Sequence, residues 1–404
     1  MKELFTIEHH NHGVGKVLFS WQPAGNLLAT AGVNGIVNIF DRHGTRVDEI
    51  SLRSRKEILK LEWDKDGECL AILQEGSGAI PIWDNTTRRV KRLETNLKDP
   101  SFLLWSKTGP QLAIGTKKGN LLIYRKDLQK KIPVLGKHAK EIVCGAWSDD
   151  NRLALGSKDK TLTISTADGD MLEQTDIRKE PIEIQFESKP TNSNSSNRKE
   201  GGKTSDNNGG RISINMDGRG IMLYQLDDPD NPVQLEFQAK YGDIVSYRWF
   251  GEGFMMIGFS EGYLVVVSTV NTEEMGEEIS CGRFHKEGDG LVDIAYSNVL
   301  QRAATCGERG SIKIVDMTNW KPLKEETTKI STEEFGQITM MDWTKDGQIL
   351  TISTDGGVVL NFLARMPTVH DACETRVAYL SSLREICVED TVNEAPVQTF
   401  PLTM

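Results

Sequence analysis

The sequence predicts an all-β fold in which one small antiparallel sheet is repeated around a ring. Aromatic residues close similar apolar runs at Trp21, Trp63, Trp105 and Trp147, with a constant spacing of 42 residues. Each run is followed by a polar turn, a second apolar run, another turn and a third run. A period of about 40–45 residues with three or four short strands per unit is typical of the blades of a WD40-type β-propeller.

The pattern is plainest in residues 102–124, which read FLLW, the turn SKTG, QLAIGT, the turn KKG and NLLIY. The aromatic series continues less regularly at Phe186, Trp249, Ala295 and Trp343, which makes eight units. One small sheet cannot bury both of its faces, whereas radial stacking buries each sheet against its neighbours. We expect an eight-bladed ring; the alternative is seven blades plus the start of a second propeller.

The chain outside the regular units supplies three further expectations. Residues 4–8 form a short strand that would complete the last blade and close the ring. Residues 188–210 contain no large apolar side chain, so we expect a disordered insert within blade five. Residues 366–404 break the repeat and hold one strand candidate, at 376–390.

Four residues match structural elements of a WD40 repeat. Trp83 and Asp84 form a Trp–Asp ending, and His138, after Gly136 and Lys137, resembles the Gly–His element with Asp159 as the turn acid. We expect His138 and Asp159 to hydrogen-bond inside a blade, and all four residues to be structural. The cluster His9, His10 and His12 is expected to lie in a solvated loop, since no acidic or cysteine ligand has a suitable spacing.

Composition excludes several classes of function. The net charge of -10 argues against a dedicated nucleic-acid binder, which is usually basic. No apolar run approaches the roughly 20 residues that span a membrane, and the N-terminus lacks the apolar core of a signal peptide. The six cysteines are scattered and are expected to be buried free thiols in a reducing compartment.

No motif in the chain predicts catalysis. The stretch 201–204, GGKT, ends like a phosphate-binding loop, but Asn197 stands where the first glycine is required and no apolar strand precedes it. The inner strands are expected to present hydrophobic groups to the central channel. We therefore predict no catalytic residue, no cofactor and no metal, and no enzymatic activity.

Charge is distributed unevenly along the chain. Residues 51–140 hold 19 Lys and Arg against 10 Asp and Glu, whereas residues 227–347 hold 11 against 22. Opposed poles favour oriented docking in an assembly, and a basic pole also suits acidic membrane headgroups. The candidate partner or lipid-headgroup residues are Arg88, Arg89, Lys91, Arg92, Lys117, Lys118, Arg125, Lys126, Lys130 and Lys131.

Several segments resemble a known family beyond the generic repeat. Together they are similar to the N-terminal WD40 region of the intraflagellar transport 144 family, also called the WD repeat-containing protein 19 family. The likeness covers nearly the whole chain except the polar insert, and it includes linkers between blades. The segments are NIFDRHG (38–44), WDKDG (63–67), FLLWSKTG with IGTKKGNLLIY (102–124), KIPVLGKH (131–138), DDPDNPVQLEFQ (227–238) and IGFSEGYLVVVST (257–269).

The resemblance implies a non-enzymatic scaffold in intraflagellar transport complex A. Such a subunit takes part in cilium biogenesis, retrograde ciliary transport and ciliary entry of membrane cargo. It would contact other subunits of the complex and tubby-like adaptors, in the cilium (axoneme and basal body) and the cytoplasm. Residues 1–366 would be the first propeller and 367–404 a tail leading toward a second. The alternative is a WD40 scaffold of a vesicle-coat-like or ubiquitin-ligase assembly.

Overall fold

A computed structural model describes residues 1–52, 56–187, 210–270, 275–364, 370–382, 385–390, 392 and 397–401. Within these ranges, eight antiparallel sheets follow one another along the chain and form the blades of a propeller, and a ninth sheet lies in the tail. The insert predicted at 188–210 lies outside the described residues, apart from Gly210. It joins the first strand of blade five, which ends at Phe186, to the second strand, which begins at Arg211.

In blades one to four the strands run outward in chain order from the inner to the outer edge. Their bounds are Leu18–Trp21, Leu27–Ala31, Ile36–Asp41 and Arg46–Ser51 in blade one; Ile58–Trp63, Cys69–Gln74, Ala79–Asp84 and Arg89–Glu94 in blade two; Pro100–Trp105, Gln111–Thr116, Leu121–Arg125 and Lys130–Val134 in blade three; and Ile142–Trp147, Leu153–Ser157, Thr161–Ser165 and Met171–Asp176 in blade four.

Blades five to eight follow the same order, with the outer strand of blade seven divided in two. Their bounds are Pro181–Phe186, Arg211–Met216, Gly220–Gln225 and Asp228–Glu236 in blade five; Ile244–Phe250, Phe254–Phe259, Tyr263–Ser268 and Glu277–Arg283 in blade six; Leu291–Ser297, Arg302–Gly307, Ser311–Asp316, Lys321–Pro322 and Thr328–Lys329 in blade seven; and Ile338–Trp343, Ile349–Thr354, Val359–Leu363 and the N-terminal Lys2–Ile7 in blade eight.

Helices in the described residues are limited to single turns between strands. They comprise three 3-10 turns, His9–Asn11, Ala239–Tyr241 and Lys324–Glu326, and the α-helical turn Thr332–Phe335. No described helix has the length and apolar character that a membrane crossing requires.

The N-terminal strand closes the ring, as the sequence predicts. Lys2–Ile7 pairs antiparallel with Val359–Leu363 as the outer strand of blade eight. Ile7 is 3 % exposed and packs with Val359 against Phe19 and Phe40 of blade one. First and last blades are thus joined by residues more than 300 positions apart.

The hydrophobic core is a circle of contacts between neighbouring blades. Among the described residues, each apolar cluster contains side chains from two successive blades: Trp63 and Trp83 pack against Ile39 of blade one, and Trp147 packs against Ile123 of blade three. The eighth such cluster joins blade eight to blade one. The eight blades therefore form one closed propeller, which decides between the two predicted blade counts.

The strand pairing corrects the position predicted for the aromatic residue of blade seven. Trp63 pairs with Leu70 and Trp343 with Leu350, at the start of the second strand of their blades. Tyr296 occupies the corresponding place in blade seven, whereas the predicted Ala295 lies one position earlier and on the other side of its strand. The spacing between units is not constant after Trp147, so counting residues does not fix this position in blade seven.

The tail contains more strand than the sequence predicts. Four strands, His370–Cys373, Arg376–Ser382, Glu385–Asp390 and Gln398–Pro401, pair antiparallel in chain order. The single strand predicted at 376–390 is wrong, because that apolar stretch supplies two strands that pair with each other.

The cysteines also depart in part from expectation. Six free thiols are present, and Cys69, Cys144, Cys306 and Cys387 are buried as expected. Cys281 and Cys373 are exposed, because side chains alternate between the two faces of a strand.

Candidate functional site: the charged surfaces of the propeller

Antiparallel strands place the loops of each blade alternately on two faces of the ring. The lower face carries the loops from first to second and from third to fourth strands, such as 106–110 and 126–129. The upper face carries the loops from second to third strands and between blades, such as 117–120 and 135–141. The His138 amide donates to the Gly119 carbonyl at 2.9 Å on the upper face, and the Lys126 amide to that of Pro110 at 3.0 Å on the lower face.

The ten basic residues singled out from the sequence do not form one surface. Lys117 and Lys118 lie in an upper-face turn of blade three, whereas the others lie at the lower face or on outer strands of blades two and three. The lower-face and outer-strand group comprises Arg88, Arg89, Lys91, Arg92, Arg125, Lys126, Lys130 and Lys131.

Two of these cations, Lys126 and Arg125, form ion pairs at the lower face, and Arg92 Nε lies 3.6 Å from Glu94 Oε1 on its own strand. The Lys126 ammonium lies 2.5 Å from Oδ2 of Asp64 and 2.7 Å from Oε2 of Glu68. Burial favours the neutral amine, but these hydrogen bonds outweigh it and raise the pKa of Lys126. Arg125 Nη2 lies 3.0 Å from Asp127 Oδ2. Both cations therefore stabilise the lower face more than they offer charge to a partner.

Lys126 also contacts a group of three carboxylates. Oxygens of Asp64, Asp66 and Glu68 lie within 4.8 Å of one another, a separation that could suit a cation. The Lys126 ammonium already bonds two of the three. Asp64 Oδ1 in addition accepts the backbone amides of Glu68 and Cys69, so this cluster is explained by local structure.

A groove of about 490 Å³ separates blades two and three beside this cluster. Its lining includes Ile82, Leu93 and Tyr124, together with basic Lys91 and Arg92. The exposed Arg89, Lys91 and Lys130 make no ion pair with a described carboxylate. Their charge is available to a partner at the outer edge of the ring.

Trp83 and Asp84 are held by contacts within blades one and two. Trp83 is fully buried, and its indole Nε1 donates to Asp48 Oδ2 at 2.7 Å. The Arg88 guanidinium lies over the Trp83 ring, 5.2 Å from its centroid. The Thr87 amide donates to Asp84 Oδ1 at 2.8 Å, which lowers the pKa of Asp84. These contacts fit the structural role predicted for both residues, which stays a prediction.

His138 lies buried between polar groups of blade four. Its Nδ1 is 2.8 Å from the Thr161 hydroxyl and its Nε2 is 3.0 Å from that of Thr163. Asp159 lies 3.3 Å from Nδ1 and accepts the Ala139 amide at 2.7 Å. Burial lowers the pKa of His138, so the ring is neutral at pH 7. The arrangement can tie the loop between blades to the third strand.

A second histidine group was not anticipated from the sequence. His285 of blade seven lies 2.8 Å from the Ser311 hydroxyl and 3.0 Å from that of Thr305. Its acid, Asp289, lies 3.5 Å away in the same loop. Asp289 follows His285 by four residues, whereas Asp159 follows His138 by 21. A search with the second spacing therefore does not find His285.

His12 overturns the expectation of a wholly solvated histidine loop. It is fully buried, with Nδ1 2.9 Å from the Gly357 carbonyl of blade eight and Nε2 2.8 Å from the Thr30 hydroxyl of blade one. His9 and His10, in contrast, are exposed. The sequence could not separate the three because only ring closure brings Gly357 next to His12.

The central channel is not hydrophobic, so the expectation for the inner strands is wrong. Side chains at alternate positions of these strands point to the ring axis. A cavity of about 400 Å³ there is lined by Glu62, Glu183, Gln185 and Arg248, together with aromatic groups. The prediction gave weight to the aromatic residues that end the inner strands. It overlooked the charged residues that directly precede or alternate with them.

Arg248 is the centre of this charged channel. It lies 3.4 Å from Glu183 and 4.0 Å from Asp293. Burial raises the pKa of Glu183 and Asp293, and raises that of Asp342 to about 6, with Arg248 opposing each shift. The Asp342 side chain is exposed at the surface of the channel, and the ring surrounds it. Lys60 lies 3.6 Å from Glu62, and Lys107 also lines the cavity, so cations of the ring oppose much of the negative charge of this polar channel.

The upper face holds a basic group that the sequence did not reveal. Lysines and an arginine on loops of blades three to five stand beside Lys117 and Lys118 only in the folded ring. All of them are exposed: Lys98, Lys140, Lys160 and Arg178. Their dispersal over 80 residues of sequence leaves no local cluster to recognise.

Similarity to known proteins agrees with the fold. A family model described as the WDR19 first beta-propeller matches residues 17–357. WD repeat-containing protein 19 of Mus musculus is 42 % identical over 398 residues, which are 98 % of this chain and 28 % of that protein. WD repeat-containing protein dyf-2 of Caenorhabditis elegans is 30 % identical over 397 residues, 97 % of this chain and 27 % of that protein.

Solved structures support the architecture alone. Sqt1 of Saccharomyces cerevisiae superposes with a TM-score of 0.69 at 12 % identity, over 90 % of this chain and 99 % of that chain. The chain spans less than a third of the length of the curated relatives named above. Because the family model matches most of the chain and the identity extends along nearly all of it, the chain belongs to the WDR19 first β-propeller family.

Proposed function

We propose that the chain is the first propeller of a non-enzymatic scaffold subunit of intraflagellar transport complex A. In this role it supports retrograde ciliary transport and the entry of membrane cargo into cilia. The observation that carries the proposal is the 42 % identity to WD repeat-containing protein 19 of mouse along 98 % of the chain. The longer protein would act in the cilium and the cytoplasm, with other complex subunits and tubby-like adaptors as partners.

The outer edge of blades two and three is the docking surface that we assign to this scaffold. Arg88, Arg89, Lys91 and Arg92 are exposed there, next to the groove between the blades. Rim charges of this kind orient a partner and accelerate association more than they add affinity. An acidic surface of another subunit suits them, and acidic membrane headgroups are the other outcome to be tested.

The division of the chain is part of the same proposal. Residues 1–366 form the scaffold propeller and residues 367–404 lead to a second propeller in the longer protein. The four-stranded sheet in 370–401 is the element from which we infer the start of that second repeat array.

The test is recovery of partners by the full-length protein from ciliated cells. The variant carries Arg88→Glu, Arg89→Glu, Lys91→Glu and Arg92→Glu. The control carries the same charge change on blade seven and its neighbouring loop: Lys286→Glu, Lys321→Glu, Lys324→Glu and Lys329→Glu, which are all exposed. We expect the first set to lose complex subunits, or binding to acidic vesicles, and the control to retain them.

Mass spectrometry of the unmodified protein tests the wider assignment. Recovery of ciliary transport subunits supports it. Recovery of vesicle-coat or ubiquitin-ligase subunits in their place would overturn it, and unchanged binding by the first variant would remove the docking surface while leaving the assignment standing.

A further inference from the structure

The upper face of blades three to five carries an arc of cations. Its members lie on the loops between blades or between second and third strands of these blades. We call this set the upper arc: Lys98, Lys117, Lys118, Lys140, Lys160 and Arg178.

Backbone hydrogen bonds hold the loops of the upper arc side by side. The Lys117 amide donates to the Asp99 carbonyl at 2.9 Å, and the Ile177 amide donates to the Lys160 carbonyl at 2.8 Å. Gly119, with a φ of +78°, lies against the loop of Lys140 so closely that a Cβ there would collide with the His138 carbonyl. The arc is therefore built on rigid, mutually bonded turns.

The cations of the upper arc are not neutralised by the ring. None of the six forms an ion pair with a described carboxylate, whereas neighbouring Lys158 pairs with Glu141 at 2.7 Å. Leu135 lies among the same loops and is 73 % exposed. An exposed leucine beside unpaired cations suits a partner with both acidic and apolar side chains.

On the upper loops of blades seven and eight, exposed carboxylates outnumber the exposed cations Lys286, Arg309 and Lys329. Exposed carboxylates stand on the upper loops of blades seven and eight: Glu287, Glu308, Glu333, Glu334 and Asp355. A flat anionic membrane laid on this face would meet both poles, and the acidic pole would repel it. A polypeptide segment can cover the basic arc alone, so the charge pattern favours a peptide over a lipid surface.

We propose that the upper arc docks an acidic protein segment that also carries a large apolar side chain, with its carboxylates on the lysines and its apolar group on Leu135. This surface is separate from the outer edge of blades two and three, and its occupancy does not depend on which assembly contains the chain.

The experiment measures fluorescence anisotropy of a labelled glutamate-rich peptide with a single leucine, titrated with the full chain. The arc variant is Lys117→Glu, Lys118→Glu and Lys160→Glu, and the control is Lys321→Glu, Lys324→Glu and Lys329→Glu, with the same net charge. Leu135→Ser tests the apolar contact without a change of charge. Thermal unfolding of every variant checks that the fold is retained.

We expect the arc variant to bind at least about tenfold more weakly, Leu135→Ser more weakly than the unmodified chain, and the control unchanged. Equal weakening by arc and control variants would mean non-specific attraction and overturn the proposal. Binding to phosphatidylserine vesicles that depends on the upper arc, without binding to the peptide, would also overturn the proposal. Self-association lost only in the arc variant would also overturn it, since the occupant would then be a second copy. These readouts use no complex subunit, so they are independent of the complex-A assignment.

Discussion

Arg248 Nη1 lies 3.4 Å from Glu183 Oε1, so the inner strand of blade six neutralises a carboxylate on the inner strand of blade five. The same guanidinium reaches Asp293 of blade seven at 4.0 Å. One cation thus links three successive blades at the axis of the ring.

Arg248→Met is expected to lower the free energy of unfolding by about 1–3 kcal/mol near neutral pH, because it leaves Glu183 and Asp293 without their cation. Burial raises the pKa of both carboxyls in the folded protein. Their charged forms therefore destabilise the fold at a pH above these raised pKa values, and this penalty disappears as the carboxyls gain protons in acid. The loss should be smaller in acid. Urea unfolding at neutral and acidic pH measures it.

Arg219→Met is the matched control, since Arg219 lies 3.4 Å from Asp243 but both side chains are largely exposed. It should change stability little at either pH. A loss for Arg248→Met that does not depend on pH would contradict the electrostatic explanation.

Lys137→Met is expected to stabilise the protein. Lys137 is 3 % exposed, and burial lowers the pKa of its amine to about 8, against 10.5 for an ordinary lysine, with Asp170 opposing the shift. Protonated Lys137 therefore destabilises the fold fully below pH 8, and less as the pH rises from there toward 10.5. The gain should be largest at neutral pH and shrink in alkali. Chemical unfolding across this range measures it, and a gain that grew with pH would refute the prediction.

His138→Ala is expected to cost about 1–3 kcal/mol of stability, because it leaves the buried Thr163 hydroxyl and its neighbours without a partner. His285→Ala should behave alike, since its ring lies between two hydroxyls in the same way. Exposed His43→Ala is the control. Equal melting temperatures for all three variants would show that the buried histidines do not stabilise their blades.

Ile7→Ala is expected to cost about 2–4 kcal/mol because it leaves a cavity where blade eight meets blade one. Leu4→Ala, on the same strand but 38 % exposed, should cost much less. Equilibrium unfolding compares the two. Similar small losses would mean that the N-terminal strand closes the ring through its backbone alone.

The sequence predicted the repeat well because the signals are local. A residue such as Trp105 marks the end of an inner strand, and the turn at Gly119 follows from the chain on either side of it. It predicted the tail poorly, since the stretch containing Cys387 has no regular repeat to show where one strand ends and the next begins.

Candidate surfaces were harder to predict. Lys117 and Arg88 belong to one basic stretch of sequence, yet strand reversal places them on opposite sides of the ring. Lys117 and Arg178 are far apart in sequence, yet both lie on the upper face. Two loops of a propeller are close in space when they lie at the same end of their strands and on adjacent blades. A charge count over a window of sequence contains neither piece of information.

By itself, the sequence determined that this protein is a propeller of repeated blades, because the 42-residue spacing is a property of the chain. It also determined to which family the protein is similar, because the residues of the linkers between blades are specific to that family. Only the tertiary structure decided that the ring closes with eight blades, that Arg248 lies against Glu183, and that the upper arc exists. Each of those results depends on contacts between distant residues, which form when Ile7 and Val359 join the last blade to the first.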